Sequence, residues 1–356
     1  MLRTIQRLNK LIDAFSNNNI LCVGDIMLDE YIAGTTERIS PEAPVPVVRH
    51  TQTKRVLGGV GNVAANLTAL GCKAAVFCAI GPDADGQMIE DMLQHRGILP
   101  YPHKVCRLTT KKQRIIAQKQ QVCRVDFEEK LDLSKQQEDK IIYQLTSILP
   151  NHNVVILSDY NKGLLTPRIT QAVIQAAKAK QIPVLIDPKG HNYRKYQDAT
   201  LIKPNLGELN AAIRSLMPDF TPVSPLNHEG TPNITEIQAM ADLLRQALHL
   251  DQSVVTLSEH GMVGSCSIHG NIYRPTAAKA VSDVSGAGDT SLALLAAGLG
   301  VHAKLEDAID LANIGAGVVV AKEGTATLTA NELKSAVKTG IKSISLPTAK
   351  NTGVTR

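Results

Sequence analysis

Val281-Ser282-Asp283-Val284-Ser285-Gly286-Ala287-Gly288-Asp289-Thr290-Ser291 runs directly into Leu292-Ala293-Leu294-Leu295-Ala296-Ala297. Three small residues followed by an unbroken apolar run read as a tight turn feeding a buried helix. At such a junction the first N–H groups have no intrahelical partner and the helix dipole turns its positive end outward, so an anion is stabilised there. Glycine lets the backbone come close to that anion. Asp289 and Thr290 can be read as ordinary caps of this helix. They can also be read chemically, because a carboxylate beside an anion site can accept the proton of a hydroxyl that attacks a phosphoryl group.

Working outward, a regular alternation occupies the chain from Lys135 onward. A helix to Leu149 precedes a strand at Val154 to Ser158. A helix at 167–180 precedes a strand at Val184 to Asp187, and further strands end at Leu201-Ile202 and at Val254 to Leu257. Strands alternating with helices predict an α/β fold with a mainly parallel central sheet and helices on both faces. Before this region, Ile20 to Asp25 reads as a buried strand opening into a loop, with Asp29 just beyond. Ligands of open parallel sheets gather at such carboxyl ends. Asp29 is there either a turn residue or a carboxylate that accepts two sugar hydroxyls.

Ile39 to Val48 carries three prolines, which exclude a helix and a central strand and leave an extended edge or flap. Gly58-Gly59-Val60-Gly61-Asn62 is a second glycine turn entering a helix. Residues 104 to 129 alternate basic and apolar side chains and read as an antiparallel flap with one basic face. The expected organisation is one kinase-like domain over 1–345 with lid segments at about 30–52 and 104–129, then a flexible tail at 346–356. Residues 220 to 234 are expected to form a surface loop.

Composition narrows the class. Of 356 residues 44% are apolar and 20% charged, tryptophan is absent, and the net charge is +5. Lys and Arg are interleaved with acids, which gives nucleic-acid binding little support. No run approaches a membrane span. Six cysteines without a Cys-x-x-Cys pair suit reduced, mostly buried thiols and a cytoplasmic protein. The glycines at 58, 59 and 61 do not fit the Gly-x-Gly-x-x-Gly of a nicotinamide oxidoreductase.

Asp283-x-x-Gly286-Ala287-Gly288-Asp289 strongly resembles the second signature of the ribokinase family of sugar and nucleoside kinases, with Val284 where the family usually has Thr. Gly58-Gly59 followed by Asn62 resembles its first signature, with Val60 in place of a small residue. Asn205-Leu-Gly-Glu208 and Thr256-x-x-x-x-Gly261 stand between the two, so the resemblance spans residues 20 to 335. It implies a ribokinase-like fold, Asp289 as base, and the amides of Gly286, Ala287 and Gly288 on the transferred phosphoryl. It also implies that Gly58, Gly59 and Asn62 hold the sugar. Thr256 and Gly261 would line the nucleotide, with Asn205, Gly286 and Gly288 beside its phosphates and Asn313 near the adenine. Asn205 and Glu208 would organise Mg²⁺ through water; read bare, the same two are a helix cap. The implied ligands are ATP with Mg²⁺, with K⁺ an open question, and a homodimer is the family expectation.

Within the family, Gly24 to Asp29, Arg38 to Pro46, Arg124 to Glu129, Ser158-Asp159-Tyr160 and Ile186 to Gly190 are similar to the branch that phosphorylates D-glycero-D-manno-heptose 7-phosphate at its anomeric hydroxyl, on the route to ADP-heptose and lipopolysaccharide core. No His-x-Gly-His nucleotidyltransferase motif is present, so the stand-alone kinase form is expected. Such an acceptor brings a distal phosphate, for which Arg114, Arg124, Lys162 and Lys189 are the cationic candidates. Each is otherwise a solvated surface charge. The competing readings are a fructokinase-like, ribokinase-like or nucleoside kinase, and a sugar- or nucleotide-binding regulator without catalysis. Met27, where ribokinase-type sites carry Asn, disfavours ribose itself.

Overall fold

The computed structural model describes residues 2–118, 120–220, 231–268, 270–278, 282–322 and 324–344. The loop expected at 220 to 234 falls mostly outside these residues, as does the tail expected at 346–356. The strands are β1 (Asn19–Gly24), β2 (Ile26–Ile39), β3 (Pro46–Gly59), β4 (Lys73–Ile80), β5 (Leu99–Lys104), β6 (Lys111–Ala117), β7 (Gln120–Phe127), β8 (Val154–Ser158), β9 (Val184–Asp187), β10 (Leu201–Ile202), β11 (Gln252–Thr256), β12 (Met262–Cys266) and β13 (Gly270–Arg274). The helices are α1 (Leu2–Ala14), α2 (Val60–Ala69), α3 (Ala84–His95), α4 (Lys135–Ile148), α5 (Pro167–Lys178), α6 (Leu206–Leu216), α7 (Ile234–Ala247), α8 (Ala287–Gly300), α9 (Leu305–Val319) and α10 (Ala330–Ile344).

Among the described residues, nine strands form the main sheet in the order β13-β12-β11-β10-β9-β8-β1-β4-β5. It is parallel from β5 to β11, and β12 and β13 continue it as an antiparallel edge. Residues of β1 alternate between its two faces. Ile20 and Cys22 pack into a core with α1, α2, α3, α8, α9 and α10, while Leu21 and Val23 pack with α4, α5, α6 and α7. Burial on both faces is what a parallel strand requires. Each fully buried Leu, Ile or Val contributes about 1.5–3 kcal/mol from its transfer out of water.

The chain leaves this sheet at Asp25 and builds a second one of order β3-β2-β6-β7. One expectation needs correction here. Asp29 is not in a loop: it lies on β2, which begins two residues after β1 ends. The flap expected at 104–129 is antiparallel between β6 and β7, and it joins the antiparallel β2–β3 pair through a parallel β2–β6 contact. The prolines do as expected. Pro46 opens β3, an edge strand, where a missing N–H costs no ladder bond.

Candidate active site

The carboxyl ends of β1, β8, β9 and β11 converge with the amino end of α8. Gly286 caps that helix with φ +82°, and a Cβ there would stand 2.9 Å from Asn62 Nδ2. The position therefore demands glycine for both its backbone and its neighbour. Three residues on, Asp289 is buried at 9% exposure. Its Oδ2 accepts from Asn62 Nδ2 at 2.7 Å and its Oδ1 from the Tyr160 hydroxyl at 3.0 Å. Burial pushes its pKa up to about 6; the Asn62 bond opposes this, the Asp187 charge adds to it, and Tyr160 and Lys203 oppose it. Such a carboxylate is ionised at neutral pH yet basic enough to take a hydroxyl proton.

Asn62 is oriented by its own neighbours. Asn66 Nδ2 donates to the Asn62 carbonyl at 3.0 Å and lies 3.4 Å from its Oδ1, and the Thr290 hydroxyl donates to Asn66 Oδ1 at 3.0 Å. This buried chain runs from α2 to α8 and leaves the Asn62 amide nitrogen facing the Asp289 carboxylate. Tyr160 is fixed from behind: Asp25 Oδ2 accepts from the N–H groups of Tyr160 and Lys162, each at 3.0 Å.

Two cavities meet at Gly288 and Thr256. One, of about 220 Å³, is polar and is lined by Asp187, Lys189, Lys203, Asn205, Glu208 and Asp289 among others. The other, of about 630 Å³, is mostly apolar and is lined by Gly261, Met262, Ala287, Asn313, Ala316 and Val320 among others. An apolar slot opening into a polar channel at a helix amino terminus suits a nucleotide base with its phosphates. Buried Lys203 ion-pairs with Asp187 at 2.9 Å; burial lowers its pKa, but the Asp187 charge and hydrogen bond more than offset that and keep it raised. Asn313 donates to the Pro275 carbonyl at 2.6 Å. Gly261, at φ +94°, would drive a Cβ to 2.0 Å from the Arg274 carbonyl oxygen, so it is structural as well as cavity-lining.

Asn205 and Glu208 form a reciprocal capping box on α6: Glu208 N–H donates to Asn205 Oδ1 at 2.8 Å, and Asn205 N–H to Glu208 Oε2 at 2.9 Å. Glu208 Oε1 accepts from Lys189 at 2.9 Å. The cap is the geometry observed, and the Glu208 carboxylate lines the polar cavity as well. Among the described residues no three His, Cys, Asp or Glu side chains form a metal cage. Hard carboxylate oxygens at one wall, without a cage, fit Mg²⁺ that keeps several waters and binds chiefly to phosphates.

The second sheet supplies the opposite wall. Register sets Asp29 beside Val56 and Lys112, Tyr31 beside Lys54 and Arg114, and Arg114 beside Arg124. Residues paired in this way share a face. That face looks toward the amino end of α8, since the Tyr31 hydroxyl lies 3.1 Å from Thr325 Oγ1 and Thr325 adjoins Gly286. Arg114 Nη1 holds Asp29 Oδ1 at 2.6 Å, Lys162 holds Glu128 at 2.5 Å, and Arg124 makes a two-pronged pair with Asp126 at 2.8 and 3.0 Å. Gly58 and Gly59 end β3 opposite Met27 and Ile26. A Cβ on Gly58 would fall 2.3 Å from Asp29 Oδ2, so this glycine exists to seat the carboxylate.

Asn205, Glu208, Thr256, Gly261, Gly286, Gly288, Asp289 and Asn313 thus line the two adjoining cavities, while Asp29, Arg114 and Arg124 share one face of the second sheet. Lys189 is the correction: it is drawn to Glu208 in the polar cavity, away from the Asp29 face where a distal phosphate was expected. Sequence reasoning also passed over Tyr160, Asn66, Asp187 and Lys203, and placed Lys112 on the basic face of the flap without making it a site residue. Tyr160 and Asp187 stood inside quoted motifs at strand ends, a position that is itself a signal in a parallel sheet.

A profile described as pfkB family carbohydrate kinase matches residues 17–332. The chain belongs to that family. It is a carbohydrate kinase, and the family uses ATP. Among curated relatives, the bifunctional protein HldE of Trichlorobacter lovleyi is 42% identical over 321 residues, and that of Hahella chejuensis is 41% identical over 327. These matches take in 89% and 91% of this chain but 62% and 64% of those proteins, so the chain spans less than two thirds of their length. Among solved structures, phosphofructokinase-2 from Escherichia coli in complex with potassium superposes with TM-score 0.74 at 18% identity, over 91% of this chain and 99% of that one. Arabidopsis thaliana ribokinase complexed with ribose and ATP gives 0.67 at 19%, over 90% and 99%. The ribokinase-like fold expected from the glycine signatures is the fold observed.

Proposed function

We propose that this kinase transfers the γ-phosphoryl group of ATP to the anomeric hydroxyl of D-glycero-D-manno-heptose 7-phosphate, giving the 1,7-bisphosphate. The observation that carries the choice of acceptor is the cationic face around Asp29, where Lys112, Arg114, Arg124 and Lys162 gather at the wall opposite Asp289. A plain hexose or pentose has no use for such a face. A dianion does, because burying it without partners is very costly. The resemblance of the Asp29, Glu42, Glu128 and Asp187 segments to heptose 7-phosphate kinases supports the same acceptor, as does the similarity to the HldE proteins.

In this reading the second sheet is a lid, and 1–345 is one kinase domain. The adenine occupies the 630 Å³ cavity, and the phosphates follow the polar channel to the amino end of α8. Asp29 accepts hydrogen bonds from acceptor hydroxyls. Asp289 takes the proton of the anomeric hydroxyl as its oxygen bonds to the γ-phosphorus, and the bond from that phosphorus to the β-phosphate oxygen breaks to release ADP. The amides at 286–288 and the Lys203 ammonium offset charge on the group in flight. Mg²⁺, beside Asn205 and Glu208, would supply charge neutralisation at the phosphates. The rest of the catalytic effect is alignment and exclusion of water.

The test is ADP release measured on paired sugars with and without a terminal phosphate: D-glycero-D-manno-heptose, fructose, mannose and sedoheptulose. The heptose 7-phosphate should give the highest kcat/KM. Preference for any unphosphorylated member of a pair would overturn the assignment.

A further inference from the structure

Three carboxylates stand on or beside the cationic face, and each already holds its own cation: Asp29 holds Arg114, Asp126 holds Arg124 and Glu128 holds Lys162. Lys112 is the surplus. It lies next to Asp29 in register and is half-buried, and among the described residues its ammonium makes neither a hydrogen bond nor an ion pair. Its ammonium sits in the fields of Asp29, Lys162, Asp126 and Glu128, and burial holds its pKa below the usual lysine range. The plain alternative is a lysine whose stem packs on the sheet while its head reaches water. A half-buried ammonium whose neighbouring carboxylates are each paired with another cation is able to take an anion as its own partner.

We propose that Lys112 is the residue that binds the distal phosphate of the acceptor and so sets the preference for a sugar phosphate, with Lys162 as the second contact once Glu128 releases it. This assignment rests on the reading of the acceptor as a sugar phosphate. It differs from the candidates drawn from sequence: Arg114 and Arg124 are held by carboxylates on the same face, and Lys189 lies in the polar cavity. Lys112 and Asp29 then act as a pair across β2 and β6, the carboxylate on hydroxyls and the ammonium on the phosphate, which fixes how far the acceptor reaches along the lid.

The deciding experiment measures kcat and KM for Lys112→Ala and Lys112→Arg with D-glycero-D-manno-heptose 7-phosphate and with the free heptose. For Lys112→Ala the KM of the phosphate ester should rise by about tenfold or more, with kcat changed far less. The ratio of kcat/KM between the two acceptors should fall by the same factor, and Lys112→Arg should restore most of it. If wild type prefers the phosphate ester and Lys112→Ala keeps that preference, the assignment of Lys112 is overturned while the acceptor reading stands. If wild type prefers the free heptose, the acceptor reading itself fails, and Lys112 with it. Should Lys112→Ala not fold by thermal melt, Lys112→Gln carries the same comparison, since it keeps the stem and removes the charge.

Discussion

Asn62 Nδ2 lies 2.7 Å from Asp289 Oδ2, joining the two glycine signatures of the chain in a single hydrogen bond. The bond is charge-assisted and buried, so it both orients the carboxylate and holds its pKa lower than burial alone would. With the Tyr160 hydroxyl on the other oxygen, both carboxylate oxygens of Asp289 are held by donors.

Asp289→Asn should therefore lower kcat by about 10² to 10⁴, the usual cost of losing a general base, while ATP still binds. In the unsubstituted enzyme the base must be ionised, and its pKa is about 6. The kcat/KM profile should accordingly fall about tenfold per pH unit below that value. Near wild-type turnover in the variant, or a flat profile from pH 5 to 8, would remove Asp289 from this role.

Tyr160→Phe tests the second bond. The Tyr160 hydroxyl lowers the Asp289 pKa, so its loss should move the acid limb of the profile to higher pH. Turnover at pH 8.5, where the base is ionised either way, should change much less than turnover at pH 6.5. An unmoved limb would mean that the phenol does not bond the base in solution.

The same raised pKa has a stability consequence, and its sign is definite. Between the ordinary value of 3.8 and about 6 the folded chain binds more protons at Asp289 than the unfolded chain does, so this group's contribution is present at low pH and lost as pH rises through about 6. From pH 5 to pH 8 that loss is about 1.4 kcal/mol. Asp289→Asn removes the titration, so denaturant unfolding should show the variant gaining on wild type by about that amount over the interval. A constant difference between the two proteins would contradict the burial seen here.

Two glycines border the cavities at the amino end of α8 with opposite expectations. A Cβ on Gly288 meets nothing closer than Lys203 Nζ at 3.9 Å, whereas one on Gly261 falls 2.0 Å from the Arg274 carbonyl oxygen at φ +94°. Gly288→Ala should keep the melting temperature and raise KM for ATP, since the methyl enters space kept for phosphate. Gly261→Ala should cost more than about 2 kcal/mol of stability, from left-handed strain and a backbone clash. Equal melting temperatures would refute this contrast.

The parallel sheet and the α8 turn were legible because they rest on local chemistry: apolar runs of strand length, and glycines where only glycine fits. Asp29 was read into a loop because a strand that leaves one sheet and at once enters another carries no local mark at the switch. Gly58 was read as a backbone contact for sugar, yet its clearest duty is to clear room for the Asp29 carboxylate, a relation between β3 and β2 that register alone reveals. Lys203 and Tyr160 were missed for the same reason, since their partners Asp187 and Asp289 lie on other elements. Lys189 was misassigned because strand-end position tells that a residue faces the crevice but not which end of it. The β12–β13 edge and α7 were not singled out at all.

The Asn62–Asp289 bond spans 227 residues, and the Tyr31–Thr325 contact spans 294. A ribosome adding about 5–20 residues per second takes roughly 10 to 45 s to make the stretch between the first pair. Through that interval the Asn62 amide has no carboxylate to face. A nascent chain can thus hold much of its sheet while the Asn62–Asp289 pair is still incomplete, and the pair closes only once α8 has been made.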